Sequence, residues 1–450
     1  MKTTLANVLL AGAVAAVAQG CLSPKAVDFR DTVSASKEAV FPSLVYVRVV
    51  VEDHDAGRDD KFQASGSGVI ITGDGELLTN YHVIDKAVKI RCQLTDGAMY
   101  DAKVLGKDKD LDIALLKLQA PEAARFPAAR LSSRHMEVGE VVLAMGAPYG
   151  LARSVSLGII SCNDRYLERC GDYTLWYQTD AMISPGNSGG PLVDTRGEVV
   201  GINARGNGEQ AFTIPSFIIS EVLPNLREFG GAHWAWLGID WQPLMDFERD
   251  TAFDATNGIV VAGTDPQGPA RAAGLEPNDR VVAIDGTPVT AMFQEDIPAI
   301  NRALALRPWD TPVEFGVVRG GERRTVSVTA KSKGDVEGKE LLLKRWGLTV
   351  KEINRFDTPD LAFAMPDGGV FVSAVAWDGN ADNSGFKARD IVKMWNGREV
   401  KTVDEMQKLY DEAMADIEST TQVGVDVMRK GRSLHLILNY RTDPEKEEEL

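Results

Sequence analysis

Between about residue 43 and residue 215 the chain is cut into short apolar runs separated by turn residues, and this punctuation limits its folding options more than any other feature. "SLVYVRVVVE", "SGVIIT", "ELLTNYHVI", "AVKIRCQL", "YDAKVL" and "LDIALLKL" come first. After an Ala- and Pro-rich link near 120 to 130 a second set follows: "EVVLAMG", "SVSLGIIS", "LWYQTD", "GPLVD", "EVVGINA" and "AFTIPS". Frequent β-branched residues suit pleated strands, and many short strands hide their edges best in a barrel or sandwich. Six plus six predicts two barrels. A helix is predicted to close this unit in "PSFIISEVLPNLREF", despite Pro224.

Beyond residue 235 the sequence repeats itself. "AGLEPNDRVVAIDGTPV" from residue 273 and "SGFKARDIVKMWNGREV" from residue 384 align without gaps at an offset of 111. Gly274, Asp279, Val281, Gly286 and Val289 recur as Gly385, Asp390, Val392, Gly397 and Val400. Such self-similarity predicts two copies of one domain. Each copy runs on into a helical stretch, the second opening with a capping box at Thr402 and Glu405, and then into strands such as "PVEFGVVRG" and "QVGVDVMRK". These read as small α+β modules.

The 450 residues have room for about three domains, and 44% hydrophobic with 25% charged residues is the balance of a globular protein. A formal charge of -16 argues against nucleic acid as a partner, because phosphate-backbone binding needs concentrated Lys and Arg. No apolar run after residue 20 is long enough to span a bilayer, and the final "DPEKEEEL" reads as a solvated acidic tail. The first twenty residues place one Lys before an apolar Leu/Ala/Val run, the layout of a secretory signal. Cys21 follows at once. "AQGC" resembles the lipobox at which bacterial lipoproteins are cut and acylated, with Ala18 where that motif usually has Leu; a plain secreted protein cut nearby is the alternative. In an oxidising compartment Cys162 and Cys170 are expected to join in a disulfide across the polar insert "NDRYLER", with Cys92 a buried small hydrophobe. Two unpaired thiols in a hairpin are the alternative. No metal-ligand spacing occurs among the Cys and His residues, and no cofactor is expected.

The stretch "SPGNSGGPLV", residues 184 to 193, admits two readings. Gly, Asn and Ser are ordinary turn residues. A nucleophilic serine also needs an open approach and convergent backbone N–H groups. Ser188 then requires a base, and the base an acid to hold its tautomer. His54, His135, His233 and His435 lie in a charged loop, a polar link, a connector and the last strand, whereas His82 follows the apolar strand "GELLTN" inside the first β unit. In "KDKDLDIALLKL", Asp108 and Asp110 read as part of a solvated charge run, and Asp112, which opens the strand, is the acid best placed for burial. A buried carboxylate is costly unless paired, which suits an imidazole N–H. Gly186, Ser188 and Gly190 also match G-x-S-x-G, but the α/β-hydrolase elbow needs a following helix and a later His. Here "PLVDTRGEVVGI" reads as strand, turn, strand, and His82 comes first.

The order His, Asp, Ser on paired β domains is that of chymotrypsin. "TNYHVI", "DIALLKL" and "GNSGGPLV", followed by two modules with a "GL.PNDRVVAIDG"-like core, resemble the HtrA/Deg serine proteases over roughly residues 40 to 440. The resemblance implies a mostly β chain, a chymotrypsin-like double β-barrel followed by two small α+β PDZ domains. It implies His82 as general base, Asp112 as its orienter and Ser188 as nucleophile, with the N–H groups of Gly186 and Ser188 as the oxyanion hole. Ile183 matches a specificity-pocket position, which implies small or aliphatic residues before the cut bond. Trp236, Leu237, Gly238 and Ile239, and again Arg345, Trp346, Gly347 and Leu348, match the PDZ loop that receives a peptide's C-terminal carboxylate. Where the family usually has Gly-Phe-Ala-Ile-Pro, residues 211 to 215 are Ala, Phe, Thr, Ile and Pro. Residues 53 to 64 are too few for the long regulatory loop of some members.

The expected organisation is a signal peptide (1–20), an N-terminal linker (21–39), a protease domain (40–228) and PDZ domains at 236–334 and 343–441. The expected activity is an exported serine endopeptidase of the cell envelope that cuts unfolded or damaged proteins through an acyl-enzyme. Its partners would be unfolded polypeptides and peptide C-termini, with the membrane reached only through an N-terminal lipid anchor. By resemblance it would assemble as trimers or their multiples. A catalytically silent PDZ scaffold or chaperone, and a narrowly specific processing protease, are the rival readings.

Overall fold

A computed structural model describes residues 28–147, 154–168, 170–206, 210–246 and 251–442. Strands β1 (Leu44–Asp53), β2 (Asp60–Ile70), β3 (Glu76–Thr79), β4 (Ala87–Gln93), β5 (Met99–Asp108) and β6 (Ile113–Leu118) close into one barrel in the order β1-β2-β3-β6-β5-β4. Strands β7 (Val141–Gly146), β8 (Ser154–Arg165), β9 (Trp176–Thr179), β10 (Pro191–Asp194), β11 (Val199–Gly206) and β12 (Ala211–Pro215) close a second, in the order β10-β11-β12-β9-β8-β7. The double barrel is therefore as the segment count predicts.

Successive side chains of a strand point to opposite faces. In β6, Ala114 and Leu116 fill the first barrel while Ile113 and Leu115 join a cluster shared between the barrels. In β7, Val142 and Ala144 fill the second barrel and Leu143 and Met145 join the same shared cluster. Strands buried on both faces must be apolar throughout, which is why "LDIALLKL" and "EVVLAMG" lack polar alternation.

The helix Ser216–Phe229 leaves β12 and lays Ile218, Ile219, Val222, Leu223 and Leu226 on the shared cluster. Pro224 sits on its exposed side, and Gly230, at φ +76°, ends it. The helix reaches back across β5, where a Cβ on Gly106 would lie 2.2 Å from the Leu226 carbonyl oxygen. The stretch expected to be a linker contains the helix Phe29–Val40, whose Val40 is buried in the same cluster. Its apolar positions are too sparse to announce a helix.

Two sheets follow whose five successive core strands share one order, the second with a further strand at its edge. The first runs Ile239–Gln242, Ile259–Thr264, Arg280–Ile284, Pro312–Arg319, Glu322–Thr329, and the second Leu348–Glu352, Val370–Val375, Ile391–Trp395, Gln422–Arg429, Arg432–Asn439. The repeated Gly and Asp now have a physical role. Asp279 is fully buried, accepts from the Glu276 N–H and both guanidinium arms of Arg319, and Arg319 reaches the Gly274 carbonyl. Asp390, Lys387, Arg429 and Gly385 repeat that arrangement bond for bond.

Because the helix backbone contacts Gly106 directly, Gly106→Val is expected to destabilise the double barrel by about 1–3 kcal/mol, the usual cost of overpacking. Denaturant unfolding followed by intrinsic fluorescence reads this; a variant as stable as the wild type would mean the helix is free to move.

Candidate active site

The antiparallel pairing of β3 with β6 sets Thr79 opposite Ala114, so the residues leaving β3 and those entering β6 meet at one end of the barrel. One helical turn, Tyr81–Ile84, carries His82 there. Asp112 lies opposite, 5% exposed, with a left-handed φ of +55° that L-residues adopt at a cost of about 1–2 kcal/mol. Local bonds hold it. Its carbonyl accepts from the Tyr81 N–H (3.2 Å) and the Asn80 amide (3.0 Å). Its carboxylate accepts from the His82 backbone N–H at 3.0 Å, and its Oδ2 stands 2.8 Å from His82 Nδ1. That contact selects the tautomer with the proton on Nδ1 and leaves Nε2 as the acceptor. The His135–Asp164 and His435–Asp426 pairs, by contrast, use exposed carboxylates.

Ser188 sits between β9 and β10 of the other barrel. Gly186 has φ +98° and Gly189 +84°, conformations open to glycine. A Cβ on Gly189 would lie 2.2 Å from the Ser67 carbonyl oxygen, and one on Gly190 2.2 Å from that of Met145. Among the described residues no group accepts from the N–H of Gly186 or Ser188, which leaves both as donors. The Ser188 hydroxyl donates to the Ala204 carbonyl at 3.2 Å.

Ser67, in β2, was not among the residues the motifs single out. Its hydroxyl donates to the Gly186 carbonyl (2.6 Å) and accepts the Ala147 N–H (2.9 Å), while its backbone N–H donates to the Ser188 carbonyl (2.8 Å). One residue of the first barrel thus fixes the Ser188 loop of the second. Its signal in the sequence is a serine between two glycines, "GSG", directly before the apolar end of its strand.

Ile183 is buried in the apolar cluster of the second barrel with Ala181 and Ala211. Thr213, the departure from the family's usual Ala, is fully buried and donates to Asn203 Oδ1 at 3.1 Å, so its hydroxyl has a partner. The expected disulfide is not present: Cys162 and Cys170 are both free thiols. Cys162 lies in β8 opposite Gln178, whereas Cys170 packs against the shared cluster and its carbonyl accepts from the Trp176 indole. Cys92 is buried in the first barrel as expected. Cys21 lies outside the described residues.

Trp236, Leu237, Gly238 and Ile239 border a cleft of about 580 Å³ between the strand Ile239–Gln242 and the helix Ile297–Ala305. The protease side supplies its far wall. Asn301 donates to the Asp172 carbonyl, Arg302 to the Tyr173 carbonyl, and Lys333 to Asp110 and the Tyr173 hydroxyl. Arg345, Trp346, Gly347 and Leu348 occupy the equivalent turn of the second sheet, with Trp346 fully buried and stacked on Trp395 at 4.2 Å.

Asp108 corrects the reading of a solvated charge run. It is buried, and its carboxylate accepts the Leu111 N–H and the Trp234 indole N–H, each at 2.8 Å. Burial pushes this carboxyl up to about 6, and the charge of Asp110 adds to the effect. A carboxyl that holds its proton more tightly folded than unfolded contributes stability present in full below about pH 4 and lost as pH rises through about 6, on the order of 3 kcal/mol. Asp108→Asn stays neutral. The stability gap between wild type and this variant is therefore expected to narrow from pH 4 to 7 in denaturant unfolding, and a gap constant with pH would contradict the assignment.

Comparison with known proteins was consistent with this geometry. A trypsin-like peptidase domain family matches residues 66–202, and a PDZ domain family matches residues 235–330. A probable periplasmic serine endoprotease DegP-like of Halomonas elongata is 34% identical over 397 residues, covering 85% of this chain and 80% of that protein. The periplasmic serine endoprotease DegP of Escherichia coli is 31% identical over 393 residues, covering 85% and 78%. Among solved structures, the HtrA-type protease AlgW with a tripeptide superposes with a TM-score of 0.58 at 30% identity, over 66% of this chain and 96% of that one. A double barrel with a trypsin-like family match, a PDZ match directly after it and relatives of this similarity lead to one conclusion: this chain belongs to the HtrA/DegP family and is a trypsin-like serine endoprotease with a PDZ domain.

Proposed function

We propose that the chain cleaves unfolded or damaged polypeptides with His82, Asp112 and Ser188 as its triad. The observation that carries this is the buried carboxylate of Asp112 gripping His82 at both Nδ1 and the backbone N–H, on the same barrel whose Ser67 holds the Ser188 loop of the other. In this reading substrate entry turns the Ser188 hydroxyl from the Ala204 carbonyl towards His82 Nε2. Oγ then attacks the scissile carbonyl carbon while Nε2 takes its proton, and the N–H groups of Gly186 and Ser188 receive the oxygen that becomes negative. The leaving amine takes the proton from Nε2, and water releases the acyl group by the same steps in reverse. The buried Ile183 supports a pocket for small or aliphatic side chains.

The domain division that fits is protease at 40–228 and PDZ domains at 236–334 and 343–441. The cleft beside Trp236, Leu237, Gly238 and Ile239 would take a peptide C-terminus as an added strand. Arg345, Trp346, Gly347 and Leu348 would do the same for a peptide able to displace the strand already lying there. The relatives are named periplasmic, which supports export by residues 1–20 and work in the cell envelope; acylation of Cys21 would add membrane attachment. Assembly as trimers or their multiples follows from the family resemblance.

Casein cleavage tests the triad. Ser188→Ala and His82→Ala are each expected to lose several orders of magnitude in kcat, because triad members act as a unit, with unfolding midpoints close to wild type. Undiminished cleavage by either folded variant would remove that residue from the mechanism.

A further inference from the structure

The two modules share strand order but differ at one edge. In the first, Ile239–Gln242 is the outermost strand of its sheet, paired on one side only with Ile259–Thr264. The preceding segment, Ala235–Trp236, pairs elsewhere, with Lys331–Ser332. The free edge opens on the cleft described above.

In the second module the corresponding strand, Leu348–Glu352, has a neighbour on both sides. Glu340–Leu343 pairs with it antiparallel, in the register Glu340↔Lys351, Leu341↔Val350, Leu342↔Thr349, Leu343↔Leu348. This added strand also lies against the helix Val403–Ala415, the partner of Ile297–Ala305 in the first module. It therefore fills the groove between strand and helix. The Leu343 side chain is fully buried among Trp346, Leu348 and Met406, and Leu341 packs on the same cluster.

The direction of the added strand matters. It runs with its C-terminal end, Leu343, at the turn Arg345–Leu348, which is how a peptide with a free C-terminus enters such a groove. Gly347, at φ +68°, shares its N–H between the Leu343 and Lys344 carbonyls, each at 3.0 Å. A backbone carbonyl thus stands where a peptide's terminal carboxylate would be received. The far end is anchored on the protease barrel, where Glu340 meets His54 at 3.5 Å and Glu337 accepts from the Tyr81 hydroxyl at 3.1 Å.

We propose that Glu340–Leu343 is an intramolecular ligand: the second module's groove is a peptide site kept closed by the chain's own strand, and it takes an external peptide with an apolar C-terminus only after that strand is displaced. The inference rests on reading the second module as a peptide-binding domain. A tethered ligand competes at a high effective concentration, so external peptide should bind the second groove on the order of a hundredfold or more weaker than it binds an emptied one.

The probe is the fluorescent peptide VEGKELLL, this chain's residues 336–343 with a free C-terminus, titrated by anisotropy into the full chain carrying Ser188→Ala to prevent cleavage. Adding Leu341→Ser and Leu343→Ser is expected to raise the capacity by about one peptide per chain, and a C-terminal amide on the peptide to abolish that gain. Equal capacity before and after, with the near-UV signal of the stacked Trp346 and Trp395 intact, overturns the proposal. If the doubly substituted module loses that signal, hydrogen exchange on the unsubstituted chain decides. Amides of Leu348–Glu352 protected without peptide, and opened by excess peptide in the 340–343 segment, support the intramolecular ligand; amides exchanging as a free edge overturn it. Protection together with a folded variant that ignores the peptide would show the strand to be purely structural and would refute the peptide-site reading of the second module alone.

Discussion

Everything catalytic in this protein depends on the apolar cluster shared by the two barrels. Ile113 and Leu115 come from one barrel, Leu143, Met145 and Val193 from the other, and Trp234 seals one margin. His82 and Asp112 stand on the first barrel and the Ser188 loop on the second, so their relative geometry is a property of how the barrels dock. Dispersion and burial supply the docking force, yet they are non-directional and would tolerate sliding.

Directional bonds remove that freedom. Ser67 joins its own barrel to the Ser188 loop through its hydroxyl and its backbone N–H, and Thr79 donates to the Ser67 carbonyl at 2.7 Å, tying the same point to the strand that leads to His82. Asp108 does comparable work at the loop that carries Asp112. Its carboxylate accepts from Leu111, next to Asp112, and from Trp234 of the connector, so the turn that presents Asp112 is fixed to the cluster as well. Burial raises the proton affinity of Asp108, and the two N–H donors partly offset that by stabilising the carboxylate.

The modules reach the same loops by charge. Lys333 is nearly buried between Asp110 and Tyr173; burial alone would lower its proton affinity, but Tyr173 and Asp110 raise it above the ordinary value. The segment that continues from it carries Glu337 to Tyr81 and then becomes the strand lying in the second groove. One connector therefore touches the loop before Asp112, the neighbour of His82 and the second module. The two modules, built from one repeat, differ because of where that connector goes.

Much of this was legible in the residues themselves. Twelve short apolar runs pointed to two barrels and the offset of 111 to two like modules, because each of these is a local pattern of side-chain type and spacing; the neighbourhoods of His82, Asp112 and Ser188 were what directed attention to those three residues. What the sequence left open were contacts between residues far apart in the chain. Ser67 looked like a strand residue, Asp108 like solvated charge, residues 29–40 like a linker, and Cys162 and Cys170 like a disulfide. Whether an isolated polar group is buried, which strand covers an edge, and which way a thiol points are decided only when distant segments compete for the same space. That competition is settled by packing, and packing is a property of the folded whole.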